Sequence, residues 1–106
     1  MKVHAPLHHL ATPDQWERCF DGDCYTPDSL ETEGYVHLST ADQLAGSRAR
    51  HFPANTQLLA IDIAPECLTA LLWEDLHGHG IFPHHYGPIP AKAIRAVREW
   101  SDYHVR

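Results

Sequence analysis

The chain has 106 residues, a formal net charge of −6 and 43% hydrophobic residues, which is ordinary composition for one globular domain with a modest core. No apolar run approaches the roughly 20 residues that cross a bilayer, and the start MKVHAPLHHL lacks the apolar segment of a secretory signal. We therefore expect a cytoplasmic protein with a single domain over residues 1–106, no membrane contact, and no surface that grips nucleic-acid backbone in bulk.

The first predicted elements are a strand over residues 3–10 and a helix that begins at Thr12. Thr12 suits the N-cap, and Gln15 three residues later completes a capping box. Apolar side chains at helical spacing predict one buried stripe on this helix. The stripe comprises Trp16, Cys19 and Phe20. Residues 21–34 are predicted to form a loop, with a turn of helix as the alternative.

The stretch YVHLS at residues 35–39 alternates between apolar and polar side chains and predicts a short strand. Period two sends Val36 and Leu38 to the core. The side chains on the opposite face, toward a cleft or solvent, are Tyr35, His37 and Ser39. TADQ at residues 40–43 repeats the capping box and predicts a helix that runs to about Phe52.

TQLLAIDI at residues 56–63 is nearly continuous apolar sequence and predicts a central strand. We expect the YVHLS strand to lie beside it. Further along, a helical turn and a short strand ending at Trp73 and Glu74 are predicted, then a closing strand over residues 92–100, with helix as the alternative. This order predicts a compact α+β domain with a small mixed or antiparallel sheet and two main helices.

The segment IFPHHYGPIP at residues 81–90 carries three prolines, which would interrupt a central strand, so we expect a stiff loop. If it is extended, His84 and Tyr86 share one face and His85 takes the other. His84 and Tyr86 would then form one wall of a site. The alternative is structural, with the tyrosine hydroxyl bonded to backbone and one histidine buried.

Ten histidines are the unusual feature of the composition, and most of them are clustered. This clustering favours a histidine-lined site. A histidine metal site is an alternative that HGHG at residues 77–80 leaves open. However, there is no H-E-x-x-H motif, and adjacent histidines on a strand point in opposite directions, so no bound metal is expected. The three cysteines lack C-x-x-C spacing and are expected to be reduced, with Cys19 and Cys67 in the core and Cys24 in a loop.

Glu74 directly follows Trp73, and a carboxylate beside an indole can be desolvated. Desolvation would raise the pKa of Glu74 and suit it to acid–base chemistry. The alternative is an exposed glutamate at a strand end.

The run EGYVHLST…LLAIDI…LLWE…FPHHYGPIP resembles the bacterial family known as domain of unknown function 952, over nearly the whole chain. The matching positions are His9, Trp16, Glu33–Ser39, Asp62, Trp73, Glu74 and Phe82–Ile89. Tyr35 stands where that family has phenylalanine, and His85 where it has leucine.

The fold of that family is similar to ADP-ribosyltransferases, and most like the RNA 2′-phosphotransferase branch. In that branch, histidine motifs that HHLAT and YVHLS resemble lie against an ADP-ribose-type ligand. The resemblance implies that His9 and His37 bind ligand and that Ser39 contacts a ribose or phosphate. It also implies a nucleotide-type substrate, NAD or ADP-ribose, with no tightly bound cofactor.

Together, the residues and the resemblance predict one cleft. Its expected catalytic residues are His37 and Glu74, and its expected ligand-binding residues are His9, Ser39, Trp73, His84 and Tyr86. Tyr86 or Trp73 would stack on a base, and Glu74 would stabilise a ribosyl cation. Two alternatives stay open: a non-catalytic nucleotide-binding or protein-interaction module, and a histidine-based metal-binding protein.

Overall fold

The computed structural model describes residues 5–100. Within this range the chain forms an α+β arrangement in which eight short strands make three antiparallel sheets. The strands are β1 (Leu7–Ala11), β2 (Cys24–Tyr25), β3 (Val36–His37), β4 (Leu59–Ile63), β5 (Leu71–Glu74), β6 (Phe82–His85), β7 (Ile89–Pro90) and β8 (Ile94–Glu99). The α-helices are α1 (Pro13–Cys19), α2 (Ser29–Thr32) and α3 (Leu44–His51). The α+β prediction is confirmed, and residues 3 and 4 of the predicted first strand lie outside the described residues.

The largest sheet has the order β1-β4-β8, with β4 in the middle. Leu7 pairs with Ile63 at one end of β1, and Ala11 pairs with Leu59 at the other. The apolar run TQLLAIDI thus supplies a central strand, as predicted. The closing segment is a strand and not a helix, and it pairs with the other side of β4.

A second sheet has the order β3-β6-β5. His37 of β3 lies opposite His84 of β6, and Val36 lies opposite His85. The prediction that β3 lies beside β4 is therefore wrong. Val36 and Leu38 are buried, as alternation predicts, but Tyr35 from the opposite face is buried as well. Alternation carries no information about the partner strand, because any neighbour in the right orientation satisfies it.

The prolines do not keep β6 out of a sheet, so the prediction of a loop at residues 82–85 is wrong. Pro83 lies in β6, the middle strand, yet its carbonyl accepts a hydrogen bond from the N–H of Leu38 at 3.1 Å. The nitrogen of Pro83 faces the same side, just beyond the two residues of β3. Its missing N–H therefore removes a single hydrogen bond at the end of the ladder.

Two short strands that the sequence did not predict form the third sheet. Cys24 and Tyr25 of β2 pair with Pro90 and Ile89 of β7. Two-residue strands carry no periodic pattern, so the sequence indicates loop at both segments. The turn of helix considered there is present as α2.

Both predicted helix starts are capped by side chains. Thr12 Oγ1 accepts a hydrogen bond from the backbone N–H of Gln15 at 3.1 Å. At the second start, Gln43 Oε1 accepts from the backbone N–H of Thr40 at 3.1 Å. A 3-10 turn over Ala41–Gln43 precedes α3, which ends just before Phe52.

The main core lies between the first sheet, β2, β7 and α1. Its buried side chains are Leu7, Ala11, Tyr25, Val36, Leu38, Ile61, Ile63, Ile89 and Ala93. The predicted stripe of α1 packs against this core, where the ring of Trp16 stacks on Phe20 with centroids 4.6 Å apart. The cysteines are free, Cys19 and Cys67 pack against the core, and Cys24 lies in β2.

Among residues 5–100, no helix is both long enough and apolar enough to span a bilayer.

Candidate functional site

A cleft of about 680 Å³ opens beside the β3-β6-β5 sheet. Six of the chain's ten histidines are among the described residues that line it. They are His9, His37, His51, His77, His79 and His84. The volume lies within the range of about 300–1,000 Å³ that small-molecule sites occupy.

His37 lies at the centre of these histidines. Its ring centroid is 5.4 Å from that of His51, 5.7 Å from that of His84 and 6.4 Å from that of His77. Strand β3 holds His37 beside β6, which explains the proximity of His84. The Nε2 atom of His37 lies 3.0 Å from Oε2 of Glu33, which stands four residues earlier, just after α2. This hydrogen bond keeps the pKa of Glu33 below its ordinary value.

A second histidine–carboxylate pair lies beside the first, on the neighbouring strand. The Nδ1 atom of His84 is 3.0 Å from Oε1 of Glu74. The phenol of Tyr86 donates a hydrogen bond to the same oxygen. His84 and Tyr86 thus lie on one face of their segment and share a partner, which comes from the neighbouring strand β5.

The pKa of Glu74 shifts downward and not upward, which corrects the sequence-based expectation. The hydrogen bond from Tyr86 is the main cause, and the bond from His84 adds to it. The same contact raises the pKa of the Tyr86 phenol to about 12. Desolvation by Trp73 fails because neighbouring residues of a strand point to opposite faces, so the indole does not cover the carboxylate. Glu74 is ionised at neutral pH.

Each pair leaves one imidazole nitrogen without a hydrogen bond. An ionised carboxylate can only accept, so His84 donates from Nδ1 and His37 donates from Nε2. Within the described residues, no hydrogen bond is made by the remaining nitrogen of either ring. The His37 side chain is partly exposed, whereas His84 is buried, with only 3% of its surface exposed. In the neutral rings these nitrogens carry a lone pair that can accept a proton.

Tyr35 packs against the histidine rings of both pairs but is not among the described residues that line the cleft. It is buried, and its ring stacks on His84 with centroids 4.3 Å apart and lies 4.8 Å from that of His37. Its hydroxyl lies 2.8 Å from Nε2 of His77 and 3.4 Å from a carboxylate oxygen of Glu33. Tyr35 therefore links the His37 and His84 rings to the loop between β5 and β6.

His9 reaches the cleft wall, but hydrogen bonds within the fold occupy both of its nitrogens. Nδ1 lies 2.8 Å from the carbonyl oxygen of His37, which can only accept, so Nδ1 carries the proton. Nε2 then accepts from the Tyr25 hydroxyl, also at 2.8 Å. Burial lowers the pKa of His9 to about 4. His9 thus holds the backbone of β3 in place from below.

Of the other predicted site residues, Ser39 lines the cleft, whereas Trp73 and Tyr86 are not among the residues of the described range that line it. Ser39 is buried, and its Oγ is 2.7 Å from Oγ of Ser47. Trp73 projects from the opposite face of β5 and lines a separate groove. His85 is buried away from the cleft and bonds to the Gly87 carbonyl at 2.8 Å.

Several cleft residues were missed in the sequence. Glu33 carried a usable signal, since it stands four residues before His37. His51 at the end of α3, Phe52 directly after it and Phe82 at the start of β6 carried none, and Arg50 of α3, a candidate basic residue by the family resemblance, lines the cleft with them. The guanidinium of Arg50 lies 5.0 Å from the centre of the Phe82 ring. No local pattern links α3 to β6, so only the fold reveals this wall.

The cleft holds many potential ligating atoms. Over residues 5–100, however, no group of three or more histidine, cysteine, aspartate or glutamate side chains is arranged to hold a metal ion.

Comparisons with known proteins give a family and a fold. Residues 10–97 match the model of a family described as protein of unknown function (DUF952). Protein CC0527 from Caulobacter crescentus has a similar crystal structure, with a TM-score of 0.78 and 19% identity over 91% of this chain and 86% of that one. A double methionine variant of CC0527 gives the same values. No curated protein matches. The likeness to ADP-ribosyltransferases stays a prediction.

Proposed function

From the premise that this chain belongs to the DUF952 family, we propose that its cleft binds a ribose-containing nucleotide such as NAD or ADP-ribose and cleaves or transfers the group at the ribosyl carbon. The observation that carries the proposal is that two histidine–carboxylate pairs lie side by side. His37 contacts Glu33, His84 contacts Glu74, and the two imidazole rings are 5.7 Å apart.

The charge state of the cleft favours a leaving group that needs no proton. Glu33 and Glu74 both have pKa values below their ordinary range, so neither carboxyl is a proton donor at neutral pH. Ordinary glycoside cleavage uses a protonated carboxylic acid to release an alcohol. A nicotinamide on ribose already carries a positive charge and departs as a neutral molecule. This difference supports a pyridinium riboside such as NAD as the substrate.

The reaction would proceed with the following roles. The bond from the ribosyl C1′ to the nicotinamide nitrogen breaks, and its electron pair leaves with the nicotinamide. The ionised Glu74 stabilises the positive charge that develops on the ribose. Water attacks C1′, and Nε2 of His84 takes the proton that water loses. The products are ADP-ribose, nicotinamide and one proton.

The remaining cleft residues supply binding. Phe52 and Phe82 offer aromatic surface for a planar ring, a role that Trp73 cannot fill from its side of the sheet. Arg50 offers a cation for the phosphates. In this proposal His37 bonds a ribose hydroxyl through Nδ1, and Ser39, whose hydroxyl already contacts Ser47, contributes from the cleft wall.

Thermal unfolding in the presence of ligand tests the proposal. If the dissociation constant is ~10 µM, then ~1 mM NAD or ADP-ribose stabilises the fold by about 2.7 kcal/mol. For a domain of this size, this corresponds to a melting shift of roughly 10 °C. Incubation with NAD followed by chromatography for free nicotinamide then separates an enzyme from a non-catalytic binding module. Absence of a shift with NAD, NADP, ADP-ribose and 2′-phosphorylated nucleotides would overturn the proposal.

A further inference from the structure

The outer strand β5 presents an unpaired backbone edge. The carbonyl of Pro83 faces β3, so alternation directs the backbone groups of Phe82 and His84 toward β5. They pair there with Glu74 and Leu72. The N–H and C=O groups of residues 71 and 73 therefore point away from the sheet. Within the described part of the chain, nothing bonds to them.

This edge lacks the charged side chains that protect β8, another outer strand of the fold, from pairing with other chains. Strand β8 is also an outer strand, and it bears three charged side chains, Arg95, Arg98 and Glu99. Charges of this kind prevent outer strands from pairing with other chains. Strand β5 instead carries Leu71, Leu72 and Trp73, of which the last two are 54% and 52% exposed. Its one charged side chain, Glu74, is bonded to His84 and Tyr86 on the cleft side. The contrast within one protein marks β5 as an edge left available for pairing.

A groove of about 520 Å³ runs along the same edge. Its walls are mostly apolar, and Leu71 and Trp73 contribute the wall on the β5 side. Pro6 and Pro65 are among the residues on the other walls. A strand added to β5 would direct every second side chain toward this groove, because strand side chains alternate between faces.

The charges around the edge select the kind of partner. Glu66 lines the groove and Asp75 directly follows the strand, whereas no lysine or arginine is among the described residues that line the groove. The chain as a whole has a net charge of −6. A second copy would bring like charges together, while a basic segment would be attracted.

We propose that β5 binds an extended segment of another protein as an added strand, with apolar side chains at alternate positions and basic residues at its ends. Its backbone pairs with the outward N–H and C=O groups of Leu71 and Trp73. Its alternate apolar side chains enter the groove beside the indole. The cleft is on the other face of β5, where Glu74 points, so the two sites are independent.

The probe is a fluorescent acetylated peptide amide of sequence KVTVTVK, whose binding is measured by anisotropy. Two N-methylated versions of it decide the binding mode on the unaltered protein. One version is methylated at the amides of the even positions and the other at those of the odd positions, so that only one can still pair with β5. We expect one version to lose at least about tenfold in affinity while the other binds nearly as well as the parent peptide.

A variant pair tests the position of the contact. Trp73→Ala should weaken binding by about tenfold, as for an aromatic anchor at an interface. Val97→Ala, at an exposed apolar residue of the charged edge strand β8, should leave the affinity unchanged.

Three peptide-binding results would overturn the proposal. They are no binding of KVTVTVK at about 1 mM, equal loss with both methylated versions, and equal binding of an EVTVTVE peptide. A dimer seen by sedimentation would also overturn it if Trp73→Ala dissociates that dimer. Such a result would show that β5 pairs with a second copy of the chain. If Trp73→Ala fails to fold, the methylated peptides still decide, because they use the wild-type protein.

Discussion

The Nδ1 atom of His84 lies 3.0 Å from Oε1 of Glu74, across the adjacent strands β6 and β5. Because Tyr86 donates to the same oxygen, the carboxylate is held in one orientation, and within residues 5–100 nothing bonds to its second oxygen. The contact fixes the His84 tautomer with its lone pair on Nε2. The proposed chemistry depends on this arrangement.

Glu74→Gln tests whether the negative charge of Glu74 is needed, because it removes the charge and keeps the size of the side chain. The amide has the size of the carboxylate but cannot stabilise a cation, so release of nicotinamide from NAD should fall by about 10²–10³-fold. The melting temperature should change by only a few degrees, because the group lies at the surface of the cleft. Chromatography of free nicotinamide measures the rate. Glu66→Gln, in the separate groove, is the matched control and should retain the wild-type rate.

His37→Ala should remove most of the ligand-induced melting shift. The side chain is only partly buried and its partner Glu33 is at the surface, so the ligand-free melting temperature should stay within a few degrees of wild type. Differential scanning fluorimetry with NAD and ADP-ribose measures both quantities. His37→Gln can still donate to Glu33 and should keep more of the shift. A ligand-free loss of about 10 °C or more would instead identify His37 as a structural residue.

Acid should destabilise the fold through His9. Its pKa is about 4 in the fold against an ordinary 6.5, so the unfolded chain takes up a proton in this range while the folded chain does not. The free energy of unfolding should therefore fall by about 3 kcal/mol as the pH drops from above 6.5 to 4. Urea titrations at several pH values measure the slope.

The matched variant for this pH dependence is His9→Asn, whose amide can still donate to the His37 carbonyl. It should be less stable at neutral pH but should lose the slope between pH 6.5 and 4.5. Glu33 and Glu74 have lowered pKa values, so their contribution to stability is lost only at lower pH. An unchanged slope in His9→Asn would contradict the assignment and point to another histidine, such as His51, whose pKa burial also lowers.

Tyr35→Phe should loosen the loop between β5 and β6. The substitution removes the hydroxyl that lies 2.8 Å from His77 and keeps the ring that packs on His84. The loss of one net hydrogen bond should cost about 1 kcal/mol. Hydrogen exchange should accelerate at residues 75–81. Tyr86→Phe, which loses a contact to Glu74 and not to His77, should leave exchange in this loop unchanged.

The sequence by itself determined the features that depend on neighbours along the chain. Thr12 and Thr40 begin helices because a capping side chain needs only the next three residues. Val36 and Leu38 are buried because alternation fixes the faces of a strand. The nearly continuous apolar run of β4 indicates a central strand, because such a run is typical of strands whose two faces are both covered. The family followed from motifs spread over the chain.

The tertiary structure alone decided which strands are neighbours and what each site residue touches. Pairing of β3 with β6 brought His37 opposite His84, and pairing of β5 with β6 brought Glu74 to His84. The direction of the Glu74 pKa depended on those partners and not on the adjacent Trp73. Local sequence could not give this result, because hydrogen bonds between strands depend on register, and register depends on the whole fold.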